Sequence, residues 1–486
     1  MTSLPTDPGT GSAPPPGCPA HLPTGETTAS GLPVLYGTEF AADPHATYDR
    51  LRAEGVAHRV ELAPGVEAVL VTGYDAALEV LRSPYFSKDA RRWTALTEGK
   101  VPADNQVVPM MGWRPSLWFA DGERHLRLRA SVDDALGRVN PHQLRTYVQR
   151  SAAQLIDRFA GAGEADLVAQ YADPIPALVF AQLFGCPDGL TARMASACSR
   201  MMDAEPAVAH AGGGELAMCL GELIGMKRQQ PGADLTTWLL NHPSALTDEE
   251  MIHQLVVLIG AGTVPQTAWI STGTMMLLAD ERFASDLTGG SLTVADALNE
   301  VLWLHSPLSN FSFVYAVHDH TLRDQRTGAE THIPAGVPVL ISHAAANTDP
   351  TLDVDSGQRA ANTSHLAFGA GPHACPARDT AGVIAEVAIE MLLDRLPDMA
   401  LAVDAAELVW RPGPFHRALT ALPVTFAPAR TSSTEPSDAS VGESWKPADA
   451  LSSTHPAPIS TPRPPGSAPK APRRWWRFLV RSRPGR

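Results

Sequence analysis

The chain has 486 residues, 44% of them hydrophobic, which is ample for a large packed core or for two ordinary domains. Its formal net charge of −14 argues against nucleic acid as a main partner. Five scattered cysteines (Cys18, Cys186, Cys198, Cys219 and Cys375) include no Cys-x-x-Cys pair, which speaks against a disulfide framework or zinc site and for a reduced, cytoplasmic protein.

Three regions follow from composition. Residues 1–33 are rich in Pro, Gly, Ser and Thr, lack the apolar core of a secretory signal, and are expected to be disordered. Residues 34–428 carry sustained helix and strand patterning and form the folded body. Residues 429–486 return to Pro and Ser and read as a flexible linker with a basic, aromatic end. From residue 431 onward nine Lys/Arg face four Asp/Glu, while the remainder carries 29 against 48. The longest apolar runs, Leu255–Ile259 and Met275–Ala279, fall far short of the ~20 residues of a membrane span.

In chain order, Asp43–Ala53 opens with Asp-Pro and places Tyr48 and Leu51 at helical spacing. His58–Thr72 reads as two strands around Pro64-Gly65. Helices are predicted over Asp75–Leu81, Asp121–Leu136, Gln143–Ala160 and Leu216–Gln229. A long helix is predicted from Thr247, an N-cap followed by Asp-Glu-Glu, to Leu278. Another runs from Thr293 to His305 and stops before Pro307. Strands surround Phe311–Val317 and Pro338–Ser342, and a last helix spans Arg378–Arg395. The expected fold is mainly α with a small β portion.

The segment that points to chemistry is His365–Asp379, HLAFGAGPHACPARD. Phe368, Gly369, Gly371, His373 and Cys375 stand just before a predicted helix. Gly369 and Gly371 permit a tight turn whose amides point at one sulfur. Those donors and the positive helix end favour a thiolate, and the Phe368 ring can shield it. A metal thiolate fits this arrangement. A buried structural cysteine in a Gly-rich loop and a Cys/His nucleophile pair are the alternatives.

FGAGPHAC resembles the haem-binding signature of the cytochrome P450 superfamily, and the likeness extends over about residues 34–428 with motifs in matching order. The resemblance implies the cytochrome P450 fold, a haem b cofactor and Cys375 as its axial iron ligand. Asp121–Arg129 (DGERHLRLR) is similar to the family's propionate-binding helix, which implies that His125, Arg129 and His373 pair with the haem carboxylates. Ile333–Pro350 also resembles a family strand-and-helix segment. The implied activity is a monooxygenase fed by a ferredoxin and its reductase.

Three positions depart from the family pattern. Gly260–Thr267 (GAGTVPQT) stands where the oxygen-groove helix usually carries Gly-x-acid-Thr, so Val264 and Pro265 replace the proton-delivering pair. Ala261 and Gly262 are small enough to press against a flat macrocycle. Pro265 lacks an N–H and leaves the Ala261 carbonyl without its helical donor. Two readings stay open there: a water held by Thr263, Gln266 or Thr267 as a substitute relay, and a Pro265 that merely kinks a core helix. Second, the usual Glu-x-x-Arg appears as Glu300-x-x-Trp303, with Arg359 as the expected partner of Glu300 and the Trp303 indole N–H as a spare donor. An actinobacterial subgroup of the superfamily shares this replacement. Third, Val314 stands near where many relatives carry another propionate-binding arginine.

The resemblance implies substrate contacts from about Trp93–Trp118 and Met194–Ala211, whose Trp and Met residues suit an apolar, medium-sized molecule, although at least half should be ordinary core. The end Lys470–Arg486 carries seven positive charges, with Trp475, Trp476 and Phe478 among them, and suits an anionic membrane surface or an acidic protein. Two other readings stay open: a peroxide-dependent haem-thiolate enzyme, and a haem-binding interaction protein without turnover.

Overall fold

A computed structural model describes residues 31–201, 206–279, 293–354, 356–359 and 362–428. The N-terminal segment up to residue 30, Met202 and the basic tail lie outside these residues.

Six helices build the site: α1 (Gly122–Gly137), α2 (Pro141–Phe159), α3 (Pro174–Leu183), α4 (Asp248–Ala279), α5 (Val294–Leu304) and α6 (Arg378–Arg395). Their ends follow local chemistry. Thr247 and Glu250 exchange side-chain-to-amide hydrogen bonds of 3.1 and 3.2 Å at the start of α4. Thr293 and Asp296 form the same box before α5. Asn140 caps α2 on the amides of His142 and Gln143, with Pro141 in the first turn where its missing N–H costs nothing.

The main core joins α1–α6 through residues such as Leu128, Val148, Leu155, Tyr171, Val301 and Ile389, all fully buried. By length and composition α4 could cross a membrane. However, it lies through this core with Gln254, Thr272 and Thr274 buried along it, so it is an interior helix.

A five-stranded sheet flanks the helices. Its strands are β1 (Ala57–Ala63), β2 (Val66–Val71), β3 (Phe86–Ser87), β4 (Asn310–Ala316) and β5 (Pro338–Ser342), in the order β1-β2-β5-β4-β3. β1 and β2 form the hairpin expected around Gly65, whose φ is +76°. β2 runs parallel to β5, with Val69 opposite Val339. β4 runs antiparallel to β5 with an irregular register between Phe311 and Val314, where Ser312 takes a φ of +40°. The edge pair Phe86–Ala316 and Ser87–Tyr315 places Lys88 beside Phe313 of β4. Smaller pieces are a three-stranded sheet (Glu164–Asp166, Pro423–Thr425, Ala400–Leu401) and a hairpin of His320–Arg323 with Glu330–Ile333.

Candidate functional site

The loop that ends at Cys375 is held from within and from three neighbours. Within it, Gly369 N–H donates to Leu366 O at 2.7 Å and Cys375 N–H to Phe368 O at 2.8 Å. Gly369 and Gly371 take φ of +68° and +69°. From α1, Arg129 Nη1 donates to the Ala374 and Pro372 carbonyls at 2.8 and 3.3 Å. From α4, Trp269 meets Phe368 edge-on at 5.8 Å, and Gln266 Nε2 donates to Ala381 O of α6 at 3.1 Å. From the segment before the loop, His365 lies 6.0 Å from Phe368.

This framework sets the sulfur at the start of α6, where the Ala377 amide hydrogen-bonds it. Burial pushes the Cys375 thiol up; the Ala377 amide and the Arg129 and Arg378 guanidiniums pull it down but do not cancel the burial. The residue nevertheless keeps accessible surface. The thiol is thus crowded by protein and still accessible.

The opposite wall is α4. Gly260 and Ala261 are exposed in the middle of an interior helix, flanked by the buried Ile259 and Gln266. Together with the half-buried Val257 and Val264 they sit at i, i+3, i+4 and i+7, one face of the helix. That face is open, while the next two turns pack against the Cys375 loop. Pro265 lies on the same stretch.

Two expectations for α4 need correction. Gly262 is not on the open face: a Cβ there would lie 2.2 Å from Phe180 Cζ, so its small size serves the crossing of α4 over α3. The reason is rotation, since adjacent helix residues point ~100° apart. The group Thr263, Gln266 and Thr267 also does not converge on one water. Gln266 is buried and donates to Ala381, and Thr267 is buried and donates to Ala172 O at 3.2 Å. Thr263 alone is half-buried beside the open face, with its hydroxyl on Ile259 O at 2.9 Å.

Around α1 the histidines do come together. The ring centroids of His125 and His373 lie 3.9 Å apart, with their planes tilted by 38°. Burial lowers both pKa values, His373 to about 2, with neighbouring Lys88 and Arg129 adding to the effect. Buried His125 Nε2 has no partner among the described residues. Both rings line a cavity of about 410 Å³ with Lys88, Asp121, Val314 and Pro372. Arg129 Nε pairs with Asp133 at 2.6 Å and its Nη1 grips the loop carbonyls.

The Glu300 network has the expected members. Arg359 pairs with Glu300 at 3.1 Å. The Trp303 indole N–H donates to Asn362 O at 2.8 Å, a carbonyl that Asn299 Nδ2 also reaches at 2.9 Å. Trp303 therefore anchors the segment leading into the Cys375 loop through a neutral hydrogen bond.

Most of the substrate-region aromatics are core. Trp93, Val107 and Met111 are buried against the sheet, and Met194 is buried in the helical core. Met110, Trp113 and Trp118 pack at the edge of the sheet cluster. Trp113 lies between the guanidiniums of Arg91 and Arg124, at 4.8 and 5.8 Å. The sequence reading missed Lys88, because a lone lysine after a two-residue strand gives no local sign of burial.

No protein-family model matches the chain. It is 35% identical over 423 residues to the cytochrome P450 monooxygenase PikC of Streptomyces venezuelae, covering 84% of this chain and 98% of that protein. It is 31% identical over 403 residues to cytochrome P450 107B1 of Saccharopolyspora erythraea, covering 80% and 97%. Among solved structures, CYP154A1 from Streptomyces coelicolor A3(2) superposes with a TM-score of 0.69 at 30% identity, over 81% of this chain and 99% of that one. Identity at this level over nearly the whole length of the relatives makes the chain a member of the cytochrome P450 family of haem-thiolate monooxygenases.

Proposed function

We propose that Cys375 Sγ is the axial ligand of a haem b seated between the Cys375 loop and the open face of α4, and that the chain hydroxylates or otherwise oxidises a small, largely apolar molecule. The observation that carries this is the accessible thiol at the α6 start, with an amide on its sulfur, together with the exposed Gly260 and Ala261 of α4. The residues present fit the group in two further ways. Gly260 and Ala261 leave room for a flat macrocycle. His125 Nε2, buried and without a partner among the described residues, suits a carboxylate at the macrocycle edge, as does the His373 ring beside it. Phe368 is proposed to shield the sulfur, and Arg129 keeps the loop in register by its grip on Pro372 and Ala374.

When bound, the haem would supply oxygen activation, with the Cys375 thiolate holding its iron. The chain's own residues do the rest. The Ala377 amide and two guanidiniums lower the thiol pKa toward the thiolate that metal coordination needs. Val257 and Val264 make the substrate side of α4 apolar. Thr263, the hydroxyl nearest the open face, together with the Ala261 carbonyl that Pro265 leaves without a donor, positions water for proton delivery.

Electrons are proposed to come from a ferredoxin and its reductase. Lys470–Arg486 is proposed to bind an anionic membrane surface. Equal pelleting with phosphatidylserine vesicles of chains with and without that tail would end the membrane idea.

The test is a reduced, carbon-monoxide difference spectrum. The parent protein is expected to show the Soret band of thiolate ligation, and Cys375→Ala to lose it. A parent that binds haem through histidine alone refutes the reading. Product formed with ferredoxin, reductase and reduced nicotinamide, compared with product formed from peroxide, decides how the electrons arrive.

A further inference from the structure

The loop of residues 112–117 is tied to the N-terminal half of α4. Leu117 N–H donates to Gln254 Oε1 at 2.8 Å, and Gln254 Nε2 donates to Leu128 O at 3.3 Å. His253, the chain neighbour of Gln254, is half-buried. It stands one turn before Val257 and about 11 Å before Gly260 along the helix, so it continues the open face of α4 away from the Cys375 loop.

This crossing is rich in donors and poor in acceptors. Trp113 Nε1, Ser116 Oγ and His253 Nδ1 are buried and have no hydrogen-bond partner among the described residues. Such atoms are rare in folded proteins, and three of them on one loop and the adjoining turn of α4 call for an acceptor. Arg114, on the same loop, is half-buried and donates from Nη2 to Pro109 O at 2.5 Å. Burial lowers its pKa, and no carboxylate among the described residues offsets this. The other cations nearby are matched: Arg91 pairs with Asp89 at 2.7 Å, and Arg124 and Arg127 reach Glu250 at 3.6 and 2.5 Å. Burial and then the charge of Arg114 lower the His253 pKa more than the exposed Glu249 raises it, so the imidazole and the guanidinium act on each other. An indole N–H and a guanidinium only donate, whereas an ionised carboxylate only accepts and brings the charge that matches Arg114.

We propose that Arg114 and His253 hold a carboxylate of the substrate, so that the molecule oxidised is an apolar acid whose reacting carbon, beside Gly260, lies about 11 Å from its acid group. This rests on the haem-thiolate reading above and names the substrate class of that same site. Val257 supplies an apolar wall between the two ends. A neutral molecule of the same length leaves Arg114 unmatched, and a much shorter acid leaves its far end short of Gly260.

The experiment titrates the full haem-loaded chain with decanoate, whose extended length matches this span, and with decan-1-ol as the uncharged control. Binding is read by calorimetry and by the shift of the Soret band, for the parent, Arg114→Met and His253→Leu. The parent is expected to bind the acid about tenfold more tightly than the alcohol, with a shift toward the high-spin form. Arg114→Met is expected to lose about tenfold in affinity for the acid and His253→Leu about threefold, with the alcohol held within about twofold by both. A parent that binds the alcohol as tightly as the acid overturns the proposal. So do equal losses for acid and alcohol in Arg114→Met, the mark of a disturbed loop, and an unchanged affinity for the acid in either variant. Acid binding that leaves the Soret band in place overturns the stated distance from the reacting carbon. A parent without a thiolate-type carbon-monoxide spectrum instead brings down the haem-thiolate reading, while calorimetry still decides the anchor.

Discussion

Gly371 and Gly369 have nearly the same backbone angle but different neighbours, which allows strain and crowding to be measured separately. An alanine at either position pays for a left-handed φ, about 1–2 kcal/mol. At Gly369 the new Cβ would meet nothing closer than 3.9 Å. At Gly371 it would lie 2.4 Å from Leu81 O and 3.2 Å from Leu81 C, backbone atoms of the helix Tyr74–Arg82. Backbone cannot swing aside as a side chain does, so overpacking adds about 1–3 kcal/mol. Gly371→Ala should therefore lose about 2–5 kcal/mol and Gly369→Ala about 1–2. Any shift at Gly371 also moves Pro372, whose carbonyl Arg129 holds, and so moves the approach to Cys375. Denaturant unfolding, haem content per chain and the carbon-monoxide difference spectrum measure these effects. The reasoning fails if Gly371→Ala is as stable and as haem-replete as Gly369→Ala.

Further outcomes follow from the same contacts. Trp303→Phe should cost only about 1–2 kcal/mol, because Asn299 Nδ2 still serves the Asn362 carbonyl. Glu300→Leu should cost more, about 3 kcal/mol, by stranding Arg359; urea unfolding giving the reverse order would contradict this. Thr263→Ala should lower product formed per reduced nicotinamide consumed, whereas Thr267→Ala should leave that ratio alone and lower stability by about 1 kcal/mol. The haem-free chain carries a lysine whose folded pKa, about 7, lies below its ordinary value of 10.5. The unfolded state binds that proton more tightly, so the penalty is full below pH 7 and fades as pH rises toward 10.5. Haem-free Lys88→Met should therefore melt higher than the parent, by a margin that shrinks from pH 7 to pH 10. An advantage that stays constant would deny that Lys88 is the source.

How far the sequence reveals the molecule depends on the range of the interaction. The starts of α4 and α5 are legible because Thr247 with Glu250, and Thr293 with Asp296, close their boxes within four residues. The Cys375 loop is legible because its glycines, ring and helix lie within a dozen residues. α3 escapes the reading because Pro174 and Pro176 look like breakers, yet a first turn tolerates proline. Gly262, Gln266 and Thr267 lie beside the right residues but on other faces, and only the packing partners Phe180, Ala381 and Ala172 show this. The pairing of Glu300 with Arg359 is anticipated from a known pattern of charges. Lys88 is not, since its burial is created by β4, more than two hundred residues away.

Pro265 gives the pocket a property that side-chain variation cannot easily erase. The carbonyl of Ala261 belongs to the main chain, so exchanging residue 261 alters its surroundings but not the acceptor itself. A ligand or solvent molecule with a well-placed hydroxyl or amide hydrogen finds there a fixed polar foothold in an otherwise oily wall. Selection among candidate molecules can thus turn on one hydrogen bond, and withdrawing it requires a different residue four positions downstream.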